Sequence, residues 1–149
     1  MGQTLSAAGT DQPVIIDTGL FVALFSPSDR WHACAKEWLS RFNGRLLTVD
    51  AVLTEAAYFL PEYRRTELAE MAASGIFEVI APDAKAYRRI AELLRKYARQ
   101  DPDWADISLI WLAEASNIMR IVTVDTTDFS IYRVNGRNRF ELVDWQREG

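Results

Sequence analysis

The stretch VIIDTGLFVALF, residues 14–25, decides the fold class of this chain. Its first three residues are β-branched and apolar, which favours a buried strand, and Asp17 ends that run. Thr18 and Gly19 then lead into LFVALF, an apolar segment of helical appearance. A short apolar strand that passes directly into a helix is typical of a parallel sheet with helices packed on its faces.

The same alternation of strand and helix continues along the chain. Apolar spacing and turn residues predict strands at 46–49, 76–80, 121–124 and 140–143, and helices at 31–42, 51–60, 66–73, 83–97 and 103–116. Three of these helices have an acid placed to cap them, namely Asp50, Asp83 and Asp103. In the 83–97 helix, four residues are spaced to share a buried face: Tyr87, Ile90, Leu94 and Tyr97. The sequence predicts an α/β fold, a three-layer α/β/α sandwich with a central, mainly parallel sheet.

Length and composition predict a single domain. The chain has 149 residues, 49% of them hydrophobic, which is enough for one core and too few for two ordinary domains. We expect this domain to span residues 13–146 and residues 1–12 to be a disordered leader. The leader lacks the features of a secretory signal, and no apolar run reaches the roughly 20 residues that span a membrane. Since the single cysteine, Cys34, has no partner for an internal disulfide, we expect a cytoplasmic protein.

The charge balance bears on the choice of partner. The formal net charge is −4, whereas non-specific coating of nucleic acid requires a cationic surface. An enzyme whose acidic site is neutralised by bound metal is compatible with this charge. Several helical cations are candidates for contacts with RNA phosphates, although such residues more often form a solvated face: Arg64, Arg65, Arg88, Arg89, Arg95, Lys96 and Arg99.

Four acids are expected to meet at one edge of the sheet. Asp17 and Asp125 each follow an apolar strand, so both should lie where the carboxyl ends of parallel strands meet. Asp106 lies in the first turn of a helix that begins at that edge, and Glu55 lies one turn into the helix after the second strand. Each acid alone has an ordinary explanation as a turn, cap or solvent-facing residue. Their convergence favours a functional site.

Converging carboxylates predict a cation. Like charges a few ångströms apart raise one another's pKa and resist joint ionisation unless a cation holds them together. Mg²⁺ and Mn²⁺ prefer oxygen ligands and bind through carboxylates together with substrate phosphate. Such a site supports phosphodiester hydrolysis that leaves a 5′-phosphate and a 3′-hydroxyl. A nuclease that uses two histidines is excluded because His32 is the single histidine, and we expect His32 to be structural.

Four segments of the chain resemble the acidic motifs of PIN domains. They are VIIDT at 14–18, TEAAYFL at 54–60, WADISLIWLAE at 104–114 and IVTVDTTDF at 121–129, and the resemblance extends from Val14 to about Trp145. The pattern is most similar to the toxin branch often called VapC. Each motif alone is weak, but four in order are fairly specific.

The resemblance implies a role for each matching residue. Asp17 and Asp106 would be the principal metal ligands, and Glu55 and Asp125 would complete the acidic cluster directly or through water. Asp128 is a second choice for the fourth acidic position. Thr18 and Thr123 match hydroxyl positions beside the acids, so both are additional candidates.

The resemblance also implies an activity and partners. PIN domains of this branch are endoribonucleases with a three-layer α/β/α fold that use Mg²⁺ or Mn²⁺, pair with a small antitoxin protein and often form homodimers. We therefore expect an RNA substrate, an antitoxin partner and a homodimer. Two alternatives stay open: a catalytically silent PIN-like scaffold that binds RNA or protein, and a housekeeping RNA-processing nuclease. A receiver domain is disfavoured because Lys36, Lys85 and Lys96 are all far from a late strand end.

Overall fold

The structure, a computed structural model, describes residues 11–147 of the chain. Its helices are α1 (Thr18–Phe25), α2 (His32–Arg41), α3 (Asp50–Tyr58), α4 (Glu62–Ser74), α5 (Ala84–Lys96), α6 (Trp104–Ser116) and α7 (Thr126–Ile131), with a short 3-10 helix at Ala98–Gln100. Its strands are β1 (Val14–Ile16), β2 (Leu46–Val49), β3 (Glu78–Ile80), β4 (Arg120–Val122), β5 (Arg133–Val134), β6 (Asn138–Arg139) and β7 (Glu141–Leu142). Apart from Asp11 and Gln12, the expected leader lies outside the described residues.

Five strands form one parallel sheet in the order β3-β2-β1-β4-β7. In the central strand β1, Ile15 is aligned with Leu47 of β2 and with Ile121 of β4. All three residues of β1 are buried, as its unbroken apolar sequence predicts. Because the strands run in one direction, the residues that follow β1, β2 and β4 emerge at the same edge. The predicted α/β sandwich with a mainly parallel central sheet is confirmed.

Helix α6 is the most deeply buried helix. Its sequence is apolar on nearly every side, and the stretch from Ala105 to Ile110 is buried without interruption. It packs against α3, α5, β2 and β5, and it ends where Asn117 adopts a left-handed conformation with φ of 58°. A helix apolar all round needs neighbours on most of its surface, so α6 fixes how the other layers assemble.

An antiparallel hairpin made of β5 and β6 lies apart from the main sheet. Arg133 is directly opposite Arg139, and the turn between the strands contains Asn135 and Gly136. Both turn residues have positive φ, 55° and 75°, a conformation that Asn-Gly favours and that tight hairpins require. The sequence predicted a turn here but neither the two short strands nor helix α7.

Several other local predictions are wrong. Asp50 is the first residue of α3, and Val49 occupies the capping position instead. Asp103 stands at the capping position of α6 but makes no capping hydrogen bond, whereas Asp83 accepts the expected bond from the Ala86 amide at 2.8 Å. Tyr87 is 47% exposed, so it does not belong to the buried face of α5. The buried face contains Ile90 and the capping residue Tyr97 as predicted, but Ala86 and Leu93 take the places expected for Tyr87 and Leu94.

Element ends also differ from the predicted ones. Helix α4 begins at Glu62, four residues earlier than predicted, because Pro61 has the backbone conformation of a helix cap. Strand β3 begins at Glu78 rather than Ile76, and Ile76 is 54% exposed. Strand β4 ends at Val122 because Thr123 turns away to hydrogen-bond the acidic residues described below. Within residues 11–147, no helix is long and apolar enough to cross a membrane.

Truncation of a central α6 side chain is expected to destabilise the fold. Ile110 is fully buried, so Ile110→Ala removes apolar contacts and leaves a cavity, at a cost of roughly 2–5 kcal/mol in the free energy of unfolding. Ile76→Ala makes the same chemical change at a residue that is 54% exposed and should cost less than about 1 kcal/mol. Urea denaturation of both variants measures the difference. Equal losses would contradict the central place given to α6.

Candidate active site

The acid that follows β1 is fixed by two hydrogen bonds. Asp17 caps α1 and is 4% exposed. One of its carboxylate oxygens accepts a hydrogen bond from the Thr18 amide at 2.7 Å, and the other accepts one from Thr123 Oγ1 at 2.7 Å. Since β1 ends one residue earlier, these bonds hold the charge at the carboxyl edge of the sheet and at the positive end of the helix dipole.

Thr123 connects two of the predicted acids. Its hydroxyl donates to Asp17 and accepts a hydrogen bond from the Asp125 amide at 2.9 Å. Its carbonyl accepts a hydrogen bond from the indole N–H of the buried Trp145 at 3.0 Å. Thr123 therefore fixes the end of β4 relative to the end of β1, while the C-terminal segment fixes Thr123.

The acid on α6 lies in an apolar setting. Asp106 is 5% exposed, in the first turn of a helix whose neighbouring residues are buried and mostly apolar. The fully buried Tyr132 donates a long hydrogen bond, 3.5 Å, to Asp106 Oδ2. Tyr132 is held in turn by edge-on ring contacts with Tyr97 and Phe129. The segment after α7 therefore supports Asp106 from one side.

Three carboxylates approach one another closely. Asp125 caps α7 by accepting a hydrogen bond from the Asp128 amide at 3.1 Å. Asp106, Asp125 and Asp128 each offer a carboxylate oxygen, and these oxygens lie within 4.8 Å of one another. We call these three residues the carboxylate cluster. Because the short helix α7 turns Asp128 back towards Asp106, both candidates for the fourth acidic position belong to it.

All four first-choice acids line one cavity. This cavity measures about 370 Å³, and its walls include Asp17, Glu55, Asp106 and Asp125. Glu55 comes from α3 and is half-buried. Thr18 also lines the cavity, as do Asp29 and Asp103. The structure thus brings together the residues that the sequence placed at the carboxyl edge.

Burial and mutual repulsion change the ionisation of these acids. Burial raises the pKa of Asp17 to about 6, against the opposing effect of its hydrogen bonds from Thr123 and Thr18. Burial and then the negative charges of Asp17 and neighbouring acids raise the pKa of Asp106 to about 8. The pKa of Asp128 is also raised, first by a side-chain hydrogen bond with Asp125. At pH 7 the metal-free protein therefore holds a proton on Asp106.

The donor set fits a hard divalent cation. Its ligands are carboxylate oxygens, and no Lys or Arg is among the described residues that line the cavity. The buried hydroxyl of Thr18 has no hydrogen-bond partner within residues 11–147, although Thr18 faces this cavity. A cation with its water shell would supply both the missing positive charge and a partner for that hydroxyl.

Sequence reasoning missed one residue of the site. Tyr132 carries no sequence signal for contact with Asp106, since the contact depends on the unpredicted α7. Asp103 was interpreted as a cap acid that also shapes the field of the site, and it lines the cavity, where its charge helps to raise the pKa of Asp106. His32, which is outside the site, begins α2. Its Nδ1 lies 2.8 Å from the Ala23 carbonyl oxygen, in agreement with a structural role.

Comparison with known proteins finds a matching sequence family and several similar proteins. A sequence profile described as "PIN domain" matches residues 14–135. The chain is 27% identical over 135 residues to Ribonuclease VapC26 of Mycobacterium tuberculosis, covering 87% of this chain and 99% of that protein. Two solved structures share the fold. M. tuberculosis VapC20, described as a sarcin-ricin loop cleaving toxin, has a TM-score of 0.67 and 18% identity. The match covers 72% of this chain and 86% of VapC20. VapBC2 of Rickettsia felis, bound to a promoter DNA fragment, has a TM-score of 0.63 and 19% identity. The match covers 89% of this chain and 99% of the Rickettsia chain.

Neutralising Asp106 should stabilise the metal-free protein, and more so at high pH. Its folded-state pKa of about 8 exceeds the ordinary 3.8, so its contribution to stability is present below pH 4 and is lost as the pH rises through 8. Asp106→Asn removes that loss. At pH 8.5 its free energy of unfolding should exceed that of wild type by on the order of 3 kcal/mol, and at pH 5 the difference should be smaller. Urea denaturation in EDTA at both pH values measures this.

The matched control is Glu70→Gln, which neutralises an exposed acid of α4. We expect its stability to follow that of wild type at both pH values, because Glu70 is away from the cavity. An Asp106→Asn effect that is the same at pH 5 and pH 8.5 would show that the acids do not repel one another as described.

Proposed function

The chain belongs to the PIN-domain family, and from this premise we propose that it is a metal-dependent endoribonuclease, the toxin of a toxin–antitoxin pair. The observation that carries the proposal is the carboxylate cluster, in which Asp106, Asp125 and Asp128 offer oxygens within 4.8 Å of one another. Asp17 and Glu55 line the cavity that Asp106 and Asp125 share. The positions of these five acids, and of Thr18 and Thr123 beside them, support the proposal.

Each acid has a distinct place in the proposed reaction. Asp106, with Asp125 or Asp128, would hold a Mg²⁺ or Mn²⁺ ion, and Asp17 would complete its ligands. Glu55, on the α3 wall of the cavity, would act directly or through an ordered water. When bound, such an ion supplies a water of lowered pKa and offsets negative charge on the attacked phosphate. The acids, once ionised, keep the water and the phosphate oriented.

The supporting residues position these acids. Thr123 holds the Asp17 carboxylate through its hydroxyl and sets the direction of the chain at Asp125. Tyr132 stays protonated, because burial and the nearby Asp106 raise its pKa, and its O–H is directed at Asp106 Oδ2. In the overall reaction water adds to phosphorus, the bond to the 3′ oxygen breaks, and that oxygen takes up a proton. The products are a 5′-phosphate and a 3′-hydroxyl.

The partners proposed here rest on relatives. One similar protein is named a ribonuclease and another a sarcin-ricin loop cleaving toxin, which supports RNA as the substrate. The Rickettsia VapBC2 structure and a toxin–antitoxin complex from Klebsiella pneumoniae, of TM-score 0.58, support an antitoxin protein as partner. We further propose a homodimer that acts in the cytoplasm.

The electrostatics of the site favour an enzyme over a silent scaffold. A scaffold gains nothing from buried acids that repel one another, yet here burial and repulsion together raise the pKa of Asp106 to about 8. A housekeeping RNA-processing nuclease would use the same site. Expression of the protein in a host with and without the antitoxin distinguishes a toxin from such a housekeeping enzyme. Growth arrest that the antitoxin relieves would identify a toxin.

Metal binding should depend on Asp17. In isothermal titration at pH 7.5, Mn²⁺ should bind wild type, and Asp17→Asn should weaken binding by about tenfold or more because a neutral amide oxygen replaces a charged ligand. Asp144→Asn, at an exposed acid paired with Arg147, should bind Mn²⁺ like wild type. Identical titrations of wild type and Asp17→Asn would discard Asp17 as a ligand.

Cleavage should require both metal and Asp106. A mixed panel of structured RNAs should be cut by wild type in Mg²⁺ or Mn²⁺ and not in EDTA, and Asp106→Asn should lose about a hundredfold or more in rate. Glu70→Gln serves as the control with unchanged activity. Cutting that survives in EDTA or in folded Asp106→Asn protein would refute the proposed site.

A further inference from the structure

Charge is distributed unevenly around the candidate active site. On one side, a groove of about 810 Å³ adjoins the cavity and shares Glu55, Phe59 and Asp103 with it. Its walls also contain Asp50 and several aromatic residues, while no Lys or Arg is among the described residues that line it. We call this the acidic groove. Phosphate groups are repelled there, so an RNA backbone has to reach the site over another part of its border.

The β5–β6 hairpin is connected to the site without forming part of the acidic groove. Tyr132, whose hydroxyl contacts Asp106, directly precedes it, and no residue of 126–139 lines the acidic groove. The Arg133 amide donates a hydrogen bond to Tyr97 Oη at 2.9 Å, which ties the hairpin to the end of α5. The hairpin therefore starts from the side chain that supports the carboxylate cluster.

Three exposed cations gather on this hairpin and its support. Arg137 and Arg139 belong to the turn and to β6, and both are exposed. Lys96 lies at the end of α5, with its ammonium 3.6 Å from where a Cβ on Gly136 would be. We call Lys96, Arg137 and Arg139 the basic rim. In a chain of net charge −4, these three cations lie on or against the hairpin that follows Tyr132, the residue in contact with Asp106.

Two of these three cations are not used within the fold, whereas the Lys96 ammonium lies 5.3 Å from the centre of the Tyr97 ring. The side chains of Arg137 and Arg139 make no ion pair or hydrogen bond with any residue of the described chain. Arg133, opposite Arg139, is different because its guanidinium donates to the carbonyls of residues 130–132 at the end of α7. Glu114, the acid that accepts a hydrogen bond from the Asn135 amide of the turn, also accepts a two-pronged bond from Arg89.

We propose that the basic rim binds the phosphodiester backbone of RNA beside the scissile phosphate, so that the strand enters the site over the hairpin. This inference rests on the proposed nuclease function and adds to it the direction from which the substrate arrives. Directly opposite residues of a hairpin lie about 5 Å apart, so Arg139 is a neighbour of Arg133, the residue that follows Tyr132. Arginine suits the role because its planar guanidinium matches phosphate oxygens and stays charged at every relevant pH.

The test removes the two free arginines and measures binding and cleavage separately. Binding of a fluorescent 20-nucleotide single-stranded RNA of mixed sequence is followed by anisotropy in EDTA over a range of salt concentrations. For Arg137→Ala/Arg139→Ala we expect about tenfold weaker binding and a salt slope reduced by about 1.4, or about 0.7 for each lost phosphate contact. With Mn²⁺, KM should rise about tenfold while kcat stays within about twofold of wild type.

Two further variants make the result specific. Lys36→Ala/Arg41→Ala removes the same charge from exposed positions on α2 and should leave binding, salt slope and KM unchanged. Arg137→Lys/Arg139→Lys restores the charge and should recover most of the binding, which a purely structural role would not predict.

The possible outcomes separate this inference from the proposed function. If wild type binds and cuts RNA, and the Arg137→Ala/Arg139→Ala and Lys36→Ala/Arg41→Ala variants do so equally well, the proposed role of the basic rim is overturned and the nuclease function stands. Wild type that binds RNA over the hairpin without cutting it supports the rim and overturns the nuclease. Wild type that neither binds nor cuts RNA overturns both.

Discussion

Repulsion between buried carboxylates is the constraint on which the rest of this structure depends. Asp17 and Asp106 are each at most 5% exposed, and both share a cavity with Asp125 that holds no cationic side chain among the described residues. Burial and neighbouring charge raise the pKa values of Asp17 and Asp106 to about 6 and about 8. The fold must hold these groups together against a force that separates them, and it does so with rigid elements rather than with counter-charges.

The rigid elements can be traced outward from the acids. The apolar strand β1 delivers Asp17, and the Thr123 hydroxyl fixes it from the end of β4. The buried helix α6 delivers Asp106, and Tyr132 contacts that acid from beyond α7. Because every hydrogen bond to Asp17 and Asp106 comes from a buried side chain or from the backbone, the acids cannot relax by turning into water. Their remaining route to lower energy is a cation or a proton.

How much of this was predictable depends on the range of the contacts involved. The positions of Asp17, Glu55 and Asp106 follow from local pattern, since strand ends and first helical turns of a parallel sheet meet at one edge. Asp128 and Tyr132 approach Asp106 only because α7 turns the chain back after β4, and a six-residue helix leaves almost no periodic signal. Asp103 stands at the predicted cap position of α6 but makes no cap hydrogen bond, which a sequence does not reveal. The hairpin was missed because its strands have two residues each.

The β5–β6 hairpin, which the sequence did not predict, also holds cations whose position the net charge does not reveal. A total of −4 argues against a protein that coats nucleic acid, but the total says nothing about where positive charge is concentrated. Here acids collect in the cavity and the acidic groove, while Arg137 and Arg139 project from a hairpin attached to the site through Tyr132. An acidic cluster of this kind repels the substrate it is proposed to cleave until a cation is bound. A separate cationic surface nearby would attract the backbone without neutralising the carboxylates, so metal binding and RNA binding can be tuned by different residues.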